Sequence, residues 1–375
     1  MKFFRILLIC CLAAGFFLYI QNKDQTVSDG QSALSSIHSY IESFLKKPEV
    51  EKIRSVLAEG FQALAEKLQE PDETNGEQPK LVKTPDLKTP QEQSFSIHNI
   101  EIGDSKEEVE KQAGPAQRAS YNEYGVKWHA YHQNYQNFFM ASYDGQGKVN
   151  GLYTNQDLIS SRLGIMINTP KVSVVKKLGE PMKGIQKGFV LYQVQNDGEY
   201  HLYELDNCYV TVFFDQHNDD RVTAMQIIRK DLEEHKKGFF ADGNKALREG
   251  FEYQLFDLTN AARVKNGLPP LSWDDRVKMT ARGHSADMAK NQYFSHENID
   301  GLSPFDRLEQ DDITYKAAGE NIAAGQVSSI FAHEGLMNSL GHRENILNPH
   351  FNALGIGVAF DNESKPFYTE NFLGK

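Results

Sequence analysis

One stretch of the sequence occurs twice, and this duplication restricts the folds open to the middle of the chain. Residues 102–114 align without gaps to residues 167–179, and each copy has the pattern of a short helix closed by a proline, Pro115 or Pro181. The matched positions include Ile102 with Ile167, Val109 with Val174, and Gly114 with Gly179. Strand-like sequence and a hairpin signal follow each copy. Two helix-plus-meander units therefore predict a duplicated α+β domain over 95–232.

The second hairpin signal contains a polar string, 215–219, that suggests a calcium-binding loop. Such a loop requires Gly at its sixth position and Glu at its twelfth. Those positions hold Asp220 and Gln226 in this sequence. The sequence therefore favours a solvated turn over a calcium site.

The first residues have the pattern of an export signal. Lys2 and Arg5 precede an unbroken apolar run from Ile6 to Ile20. As a helix, this run would extend only ~22 Å, short of the ~30 Å hydrocarbon core of a membrane. A charged start before a short apolar core is typical of a secretory signal or signal-anchor, which we predict over 1–22. Basic residues before the run favour a body outside the cytoplasm.

Cleavage of this segment and its retention as a membrane anchor both remain open. The small residues at 13–15 lie inside the apolar run, so they do not form a convincing cleavage site. Lipid attachment at Cys10 is disfavoured because the bulky Ile9 precedes it, where a small residue is wanted. We expect an extracellular or cell-surface protein that contacts the membrane through this segment if the segment is retained.

Cysteine content and charge exclude two classes of protein. Only three cysteines occur in 375 residues, and two of them lie in the apolar run, so a disulfide scaffold is excluded. The third, Cys208, falls in strand-like sequence, which favours a buried structural thiol over a nucleophile. The chain has 51 acidic and 40 basic residues and a net charge of −11. This balance argues against nucleic acid as a partner.

Two segments of different character separate the apolar run from the duplicated domain. Residues 23–68 place apolar side chains at helical spacing on both sides of Pro48, and they predict a helical spacer. Residues 69–94 are rich in Pro, Glu, Lys, Gln and Thr and have few apolar side chains. Such a segment cannot bury enough surface to offset its ordering entropy, so we predict a disordered linker.

The last part of the chain, 245–375, predicts two amphipathic helices before a series of loops. The apolar stripes are Leu247, Phe251, Leu255, Leu258 and Ala262 on the first helix, and Val277, Ala281, His284 and Met288 on the second. Residues 266–270 end the first helix, and 272–275 open the second in the manner of a capping box. Because His284 falls on the stripe, we predict a packed, hydrogen-bonded histidine rather than a metal ligand.

Several ordered motifs and two closing strand candidates, 354–360 and 367–372, follow these helices. The motifs are FSH at 294–296, SPFDR at 303–307, GENIAAG at 319–325, MNSLGHRENILNP at 337–349 and YTENF at 368–372. In this order they resemble the disulfide-free bacterial branch of the CAP superfamily of cysteine-rich secretory, antigen 5 and pathogenesis-related proteins. The duplicated region resembles the CAP-associated N-terminal domain. The resemblance implies an α-β-α sandwich with a large open cleft.

The resemblance also implies which residues line the cleft. The two histidines of the family map to His296 and His342, and its first acidic residue maps to Glu320. We expect Asn321 and Arg343 to fix the loops that present them. Two imidazoles and a carboxylate suit Zn²⁺ or another divalent metal with an open fourth position.

The second acidic residue of the family has no clear counterpart. In the animal pattern it lies three residues after a tryptophan, and here Leu336 takes the tryptophan position and Ser339 the acidic position. Glu334 is near enough in the sequence to substitute, but we do not favour it.

Three functions remain open for such a chain. The first is binding of an extracellular ligand (a lipid, a glycan or a protein) in the cleft. The second is metal-dependent hydrolysis of peptides or cell-wall material with Glu320 as the catalytic base. Against it, neither H-E-x-x-H nor G-x-S-x-G occurs. The third is a cell-surface scaffold, in which His342 would only cap a helix end and His296 would only stabilise a loop.

Overall fold

The computed structural model describes residues 82–194 and 198–375. The predicted export segment, the helical spacer and the first part of the predicted linker lie outside the described residues. Within the described ranges, no helix has both the length and the apolar character needed to cross a membrane. The described residues belong to one compact unit that holds both predicted domains.

The duplicated domain consists of short helices and antiparallel strands. Its first half contains β1 (Phe95–Ile97), α1 (Lys106–Ala113), β2 (Arg118–Tyr121), β3 (Lys127–Gln133), β4 (Gln136–Tyr143), β5 (Val149–Thr154) and β6 (Ile159–Ser161). Its second half contains α2 (Lys171–Leu178), β7 (Gly184–Lys187), β8 (Val190–Gln193), β9 (Tyr200–Leu205), β10 (Cys208–Asp215), β11 (Arg221–Arg229) and α3 (Lys230–His235). Each half therefore begins its meander after a helix of similar length, and the predicted duplication is confirmed.

The two halves join in one seven-stranded sheet of order β2-β3-β4-β5-β11-β10-β9. The last strands of the two meanders, β5 and β11, pair antiparallel at the junction, with Met225 opposite Thr154. One face of the sheet packs on α1 and α2, each of which buries a single valine, Val109 or Val174. Both helices end at a glycine with positive φ, 79° at Gly114 and 82° at Gly179, because L side chains rarely adopt that backbone conformation.

Part of the predicted linker is instead ordered against this domain. The backbone N–H groups of residues 91–93 donate to the Glu101 carboxylate at 2.7–2.9 Å, and the backbone N–H of Val82 donates to Gln136 at 2.9 Å. Ser160 donates to the carbonyl of Lys88 at 2.7 Å. The prediction of a disordered linker up to residue 94 is therefore wrong from residue 82 onward, because distant side chains satisfy a backbone that has few apolar groups of its own to bury.

The C-terminal domain is an α-β-α sandwich. Its elements are α4 (Lys245–Lys265), β12 (Ser272–Trp273), α5 (Asp275–Asn291), α6 (Pro304–Gln310), β13 (Ala317–Ala324), α7 (Ser329–Asn338), α8 (Leu340–Ile346), β14 (Ala353–Phe360) and β15 (Pro366–Gly374). Both predicted helices and both predicted strands are present. The N-cap of α5 is Asp274, which accepts from two backbone N–H groups, while the preceding Ser272 lies in a short strand.

A four-stranded sheet of order β12-β14-β15-β13 forms the middle layer. Helices α4 and α5 pack on β14, and α7 and α8 pack beside α4 and β13. Every residue of the two predicted apolar stripes is buried, His284 included. The His284 Nε2–H donates to the carbonyl of Ser295 at 2.9 Å, as expected for a packed, hydrogen-bonded histidine.

Helix α4 also joins the two domains. A side chain at Gly250 would place a Cβ 1.9 Å from the carbonyl oxygen of Tyr121 in β2, so only glycine permits this approach. The Gln254 amide donates to the same carbonyl at 2.9 Å, and Arg118 pairs with the buried Asp257 at 3.2 Å. Leu258 belongs to an apolar core that continues into the seven-stranded sheet. The domain interface is therefore a packed core.

Candidate functional site

Three side chains from separate elements meet in the C-terminal domain, and we call them the histidine cluster: His296, Glu320 and His342. His296 lies in the loop after α5, Glu320 in β13 and His342 in α8. The Nδ1 atom of His296 lies 2.9 Å from Glu320 Oε1. Because the carboxylate accepts, Nδ1 carries the proton and the Nε2 atom of this imidazole is left with a lone pair.

A buried ion pair holds Glu320 in place. The Glu320 side chain is 2% exposed, and Arg307 donates to its Oε2 at 2.6 Å. The same guanidinium donates to the carbonyls of His296 and Leu302 at 2.8 and 2.9 Å. Arg307 thus compensates the buried charge and also fixes the loop that carries His296. Both carboxylate oxygens of Glu320 are engaged.

The start of α6 positions Arg307. Ser303 and Asp306 form a capping box, in which the serine hydroxyl accepts from the Asp306 backbone and the aspartate accepts from the Ser303 backbone. Pro304 occupies the first turn, where its missing N–H is not needed. The SPFDR motif therefore starts a short helix that directs one arginine inward.

His342 lies near His296 on the other side of the cluster. Its Nδ1 atom lies 2.7 Å from the Ser339 hydroxyl, so its Nε2 edge is also left without a hydrogen-bond partner among the described residues. Partial burial lowers the pKa of His342, and positive charge on His296 lowers it further. Charge on His296 therefore opposes protonation of His342.

A network of amide hydrogen bonds connects the elements that carry the cluster. Asn321 donates to the carbonyl of His342 at 3.1 Å and to Glu370 at 3.0 Å. Asn345 donates to the Asn321 side chain at 3.0 Å and to the carbonyl of Glu320 at 3.2 Å. Burial raises the pKa of Glu370 to about 7. This network links β13, β15 and α8.

Arg343 points away from the cluster, toward the duplicated domain. Its guanidinium makes a bidentate pair with Asp215, at 2.9 Å for each bond. Asp215 is the first residue of the polar string at 215–219, which forms a turn. Asp215 itself is buried at the end of β10, while residues 216–219 are exposed, as predicted for a solvated turn. Arg343 therefore acts as a contact between domains, one residue from His342.

Glu334 and Ser339 do not supply a second cleft carboxyl. Glu334 is buried at the domain interface, where the Tyr153 hydroxyl donates to its Oε1 at 2.5 Å. Burial raises the pKa of this carboxyl to about 7. Ser339 contacts His342 instead. The cluster thus contains two imidazoles and one carboxylate, and that carboxylate is committed to Arg307 and His296.

This donor set suits a metal only through its imidazoles. Across the described part of the chain, no three His, Cys, Asp or Glu side chains are arranged to hold a metal ion together. The Nε2 atoms of His296 and His342 are the nitrogens left available in the cluster. Glu320 accepts from Nδ1 of His296, an arrangement in which a carboxylate orients an imidazole.

Sequence reasoning missed three residues of the site: Arg307, Asn345 and Glu370. All three lie inside the motifs that carry the family resemblance. A charged residue inside such a motif, next to a capping signal, was the available indication for Arg307. The lone thiol of Cys208 is buried in β10, and burial raises its pKa to about 12, in keeping with a structural role.

Family models match both domains. The model of the cysteine-rich secretory protein family, CAP, matches residues 256–372, and the CAP-associated N-terminal model matches residues 102–239.

Two curated relatives from Bacillus subtilis (strain 168) match about a third of the chain. The "uncharacterized protein YkwD" is 44% identical over 125 residues, 33% of this chain and 48% of that protein. The "uncharacterized membrane protein YlbC" is 43% identical over 129 residues, 34% of this chain and 36% of that protein. The chain thus spans about half, or less, of the length of these relatives.

Two solved structures resemble most of the described chain. An extracellular protein containing a SCP domain from Bacillus anthracis str. Ames has a TM-score of 0.64 and 28% identity, covering 79% of this chain and 100% of that one. A cysteine-rich secretory protein from Staphylococcus aureus has a TM-score of 0.59 and 16% identity, covering 76% of this chain and 95% of that one. The second likeness supports the fold alone.

Proposed function

The chain carries a CAP domain behind a CAP-associated N-terminal domain, and we propose that it binds an extracellular ligand through His296 and His342. The observation that carries this proposal is the pair of open imidazole edges. Each histidine uses Nδ1 for a hydrogen bond, to Glu320 or to Ser339, and leaves Nε2 without a partner among the described residues. The His296 side chain is 51% exposed, so a ligand can reach it.

We include in the proposal a divalent metal, Zn²⁺ or a similar ion, held by the two Nε2 atoms. Neutral imidazole is a common ligand of Zn²⁺. The lowered pKa of His342 favours this neutral form near neutral pH. A bound metal would supply a Lewis acid to a ligand oxygen or sulfur, with the remaining positions open. Two protein ligands hold zinc less tightly than the three or four of closed sites, so we expect weak binding.

Binding fits the geometry better than hydrolysis does. A general base must accept a proton from water or substrate, and it needs a free oxygen within hydrogen-bond distance of that proton. Glu320 is 2% exposed, and both of its oxygens already accept hydrogen bonds, from His296 and Arg307. We therefore assign Glu320 the role of orienting His296.

The setting we propose is the outside of the cell. One structural relative is described as an extracellular protein and one curated relative as a membrane protein. The charged, short apolar segment at 1–22 agrees with export. The ligand classes we propose are lipid, glycan and protein, and the acidic net charge of −11 disfavours nucleic acid.

Calorimetric titration of the full chain with Zn²⁺ tests the proposal. We expect saturable binding that is lost in the His296→Ala/His342→Ala double variant. The matched control is His350→Ala, because His350 is exposed and lies outside the cluster. The control should bind as the parent does. Equal binding by the double variant and the parent would refute the metal assignment.

The broader ligand-binding proposal is tested with the same variants in cells. If replacing His296, Glu320 and His342 together leaves ligand binding and every phenotype of a deletion strain unchanged, the cluster has no binding function. The scaffold alternative would then replace the proposal.

A further inference from the structure

A cavity of about 130 Å³ lies between the seven-stranded sheet and the hairpin of β7 and β8. The hairpin lines it with Ile185, Lys187 and Tyr192, while Phe239 closes it from the segment after α3 and Phe331 closes it from α7 of the CAP domain. The sheet residues that line it alternate along β9, β10 and β11 with residues that pack on α1 and α2. The cavity therefore lies on the opposite face of the sheet, and no residue of the histidine cluster lines it.

Aromatic side chains form most of the wall of this cavity. Tyr192 and Phe239 stack with their ring planes 9° apart, and Phe331 meets Tyr200 edge to face at 5.1 Å. The six aromatic residues that line the cavity are Tyr124, Tyr192, Tyr200, Tyr209, Phe239 and Phe331. Aromatic rings attract a further ring in these same arrangements by more than the burial of area alone. The wall therefore favours a flat aromatic guest.

The volume of the cavity suits one ring. An apolar protein cavity of about 150 Å³ holds a benzene molecule, whereas the sites of drug-sized ligands begin near about 300 Å³. A long acyl chain or a fused ring system would exceed the space. Phe239 is 45% exposed, so a small guest can reach the cavity from solvent on that side.

The charged residues of the lining pair with one another. Lys187 donates to the Glu233 carboxylate at 2.6 Å and to the carbonyls of Glu233 and Lys236 at 2.7 and 3.0 Å. The ammonium of Lys236 lies 3.4 Å from the same carboxylate. These contacts hold the hairpin wall against the end of α3, and they give both lysines a counter-charge. We therefore expect a neutral guest.

Thr211 supplies a polar group to the cavity from β10. This residue is 4% exposed, and its hydroxyl makes no hydrogen bond with any residue that the structure describes. A hydroxyl both donates and accepts, and a buried one is stabilised when it finds a partner. A hydroxyl on the guest would supply that partner.

We propose that this cavity binds a small neutral phenol, a single aromatic ring with one hydroxyl group. The ring packs against Tyr192, Phe239 and Phe331, and its hydroxyl bonds to Thr211. The ring belongs either to a free phenol or to the tyrosine side chain of a peptide, since both present the same chemistry to the cavity.

Titration of the full chain with phenol, followed by ligand-detected NMR, tests the proposal. Two matched probes accompany it: cyclohexanol keeps the ring size and the hydroxyl but is not aromatic, and benzene lacks the hydroxyl. We expect saturable binding of phenol and binding about threefold or more weaker for each matched probe. Comparison of p-cresol with N-acetyl-L-tyrosine amide then separates the two sources of the ring. Tighter binding of p-cresol indicates a free phenol, and tighter binding of the amide indicates a peptide.

Two variants and one matched control locate the binding in this cavity. Val327→Phe fills the cavity from the CAP domain and should weaken phenol binding by about tenfold or more. Thr211→Val removes the hydroxyl at nearly constant shape, so it should weaken phenol binding about fivefold and leave benzene binding unchanged. The control is Val172→Phe, the same substitution at a position on α2 that is 77% exposed, and it should bind as the parent does. Circular dichroism confirms the folding of each variant.

A further variant separates this site from the histidine cluster. The His296→Ala/His342→Ala variant should bind phenol as the parent does, whatever its response to Zn²⁺. Absence of saturable phenol binding, equal binding of cyclohexanol or benzene, or full binding by the folded Val327→Phe and Thr211→Val variants would each overturn the proposal.

Discussion

Two clusters of titratable groups, one that includes His342 of α8 and one that includes Glu334 of α7, differ in how each buried acid is stabilised. In the histidine cluster, Glu320 is ion-paired with Arg307 and hydrogen-bonded to His296. At the domain interface, Glu334 accepts a hydrogen bond only from the hydroxyl of Tyr153 among the described residues. The first acid has a counter-charge within hydrogen-bond distance, while burial raises the pKa of the second to about 7.

This difference explains why the first cluster can present an imidazole with an unpaired Nε2 atom and the second cannot. A compensated carboxylate can accept a proton donor and so set which nitrogen of His296 is left free. The neighbour of Glu334, His333, is 1% exposed and is held neutral by burial. Similar residue types thus give an exposed imidazole edge in one place and buried polar groups in the other.

The largest expected effect comes from removing the compensated acid. Glu320→Ala leaves the buried guanidinium of Arg307 without its carboxylate, and we expect a loss of about 3–5 kcal/mol in the free energy of unfolding. Urea denaturation measures it. The control is Glu297→Ala, which replaces an exposed acid next to His296 in the loop after α5. It should change the free energy of unfolding by less than about 0.5 kcal/mol. If Glu320→Ala lost as little stability as Glu297→Ala, the buried ion pair would not be formed.

A smaller effect is expected from the pH dependence of the uncompensated acid. Burial raises the pKa of Glu334 from its ordinary 4.5 to about 7, so the folded chain binds more protons than the unfolded chain between these values. The contribution of this group is complete below pH 4.5 and is lost as pH rises through 7. Between pH 5 and pH 8, the free energy of unfolding should therefore fall by about 2–3 kcal/mol less in Glu334→Gln than in the parent.

The measurement is the free energy of unfolding of variant and parent by urea denaturation at several pH values, and the difference between the two is compared. Glu123, Asp257 and Glu370 are also buried acids whose pKa burial raises to about 7. They are present in both proteins, so their effect cancels. Parallel stability curves for parent and variant would contradict the prediction.

The smallest effect concerns the ion pair that connects the two clusters. Asp215→Asn removes the charge that Arg343 pairs with, and we expect a loss of about 1 kcal/mol because both side chains are partly exposed, at 12% and 21%. Asp219→Asn, an exposed acid in the same turn, is the matched control and should be neutral in urea denaturation. Equal stability of the two variants would show that the pair contributes nothing.

Much of the fold follows from local sequence signals. The glycines at 114 and 179 end two matched helices, and the apolar stripes of α4 and α5 are buried as their spacing predicts. Local signals fail where the partner lies far along the chain. Nothing near Val82 or Lys88 indicates that its backbone bonds to the side chain of Gln136 or Ser160, 54 and 72 residues away.

The site was predictable to a similar extent. The motif resemblance named His296, Glu320 and His342, which the fold brings together. It could not place Arg343, because Asp215 lies 128 residues away in the other domain, nor could it assign Arg307 to Glu320. Partners across a domain interface depend on how domains pack, and no motif in one domain encodes that packing. Arg307 and Glu320 lie in one domain but in separate motifs, and they pair only because the fold brings α6 and β13 together.

The most direct test of the central claim is NMR of the ¹⁵N-labelled histidine side chains in the full chain during titration with Zn²⁺. We expect the Nε2 signals of His296 and His342 to shift together, while Nδ1 of His296 keeps its proton against Glu320 and the signals of His333 do not change. Zinc bound only at other histidines, or loss of the Nδ1 proton of His296 on binding, would contradict it.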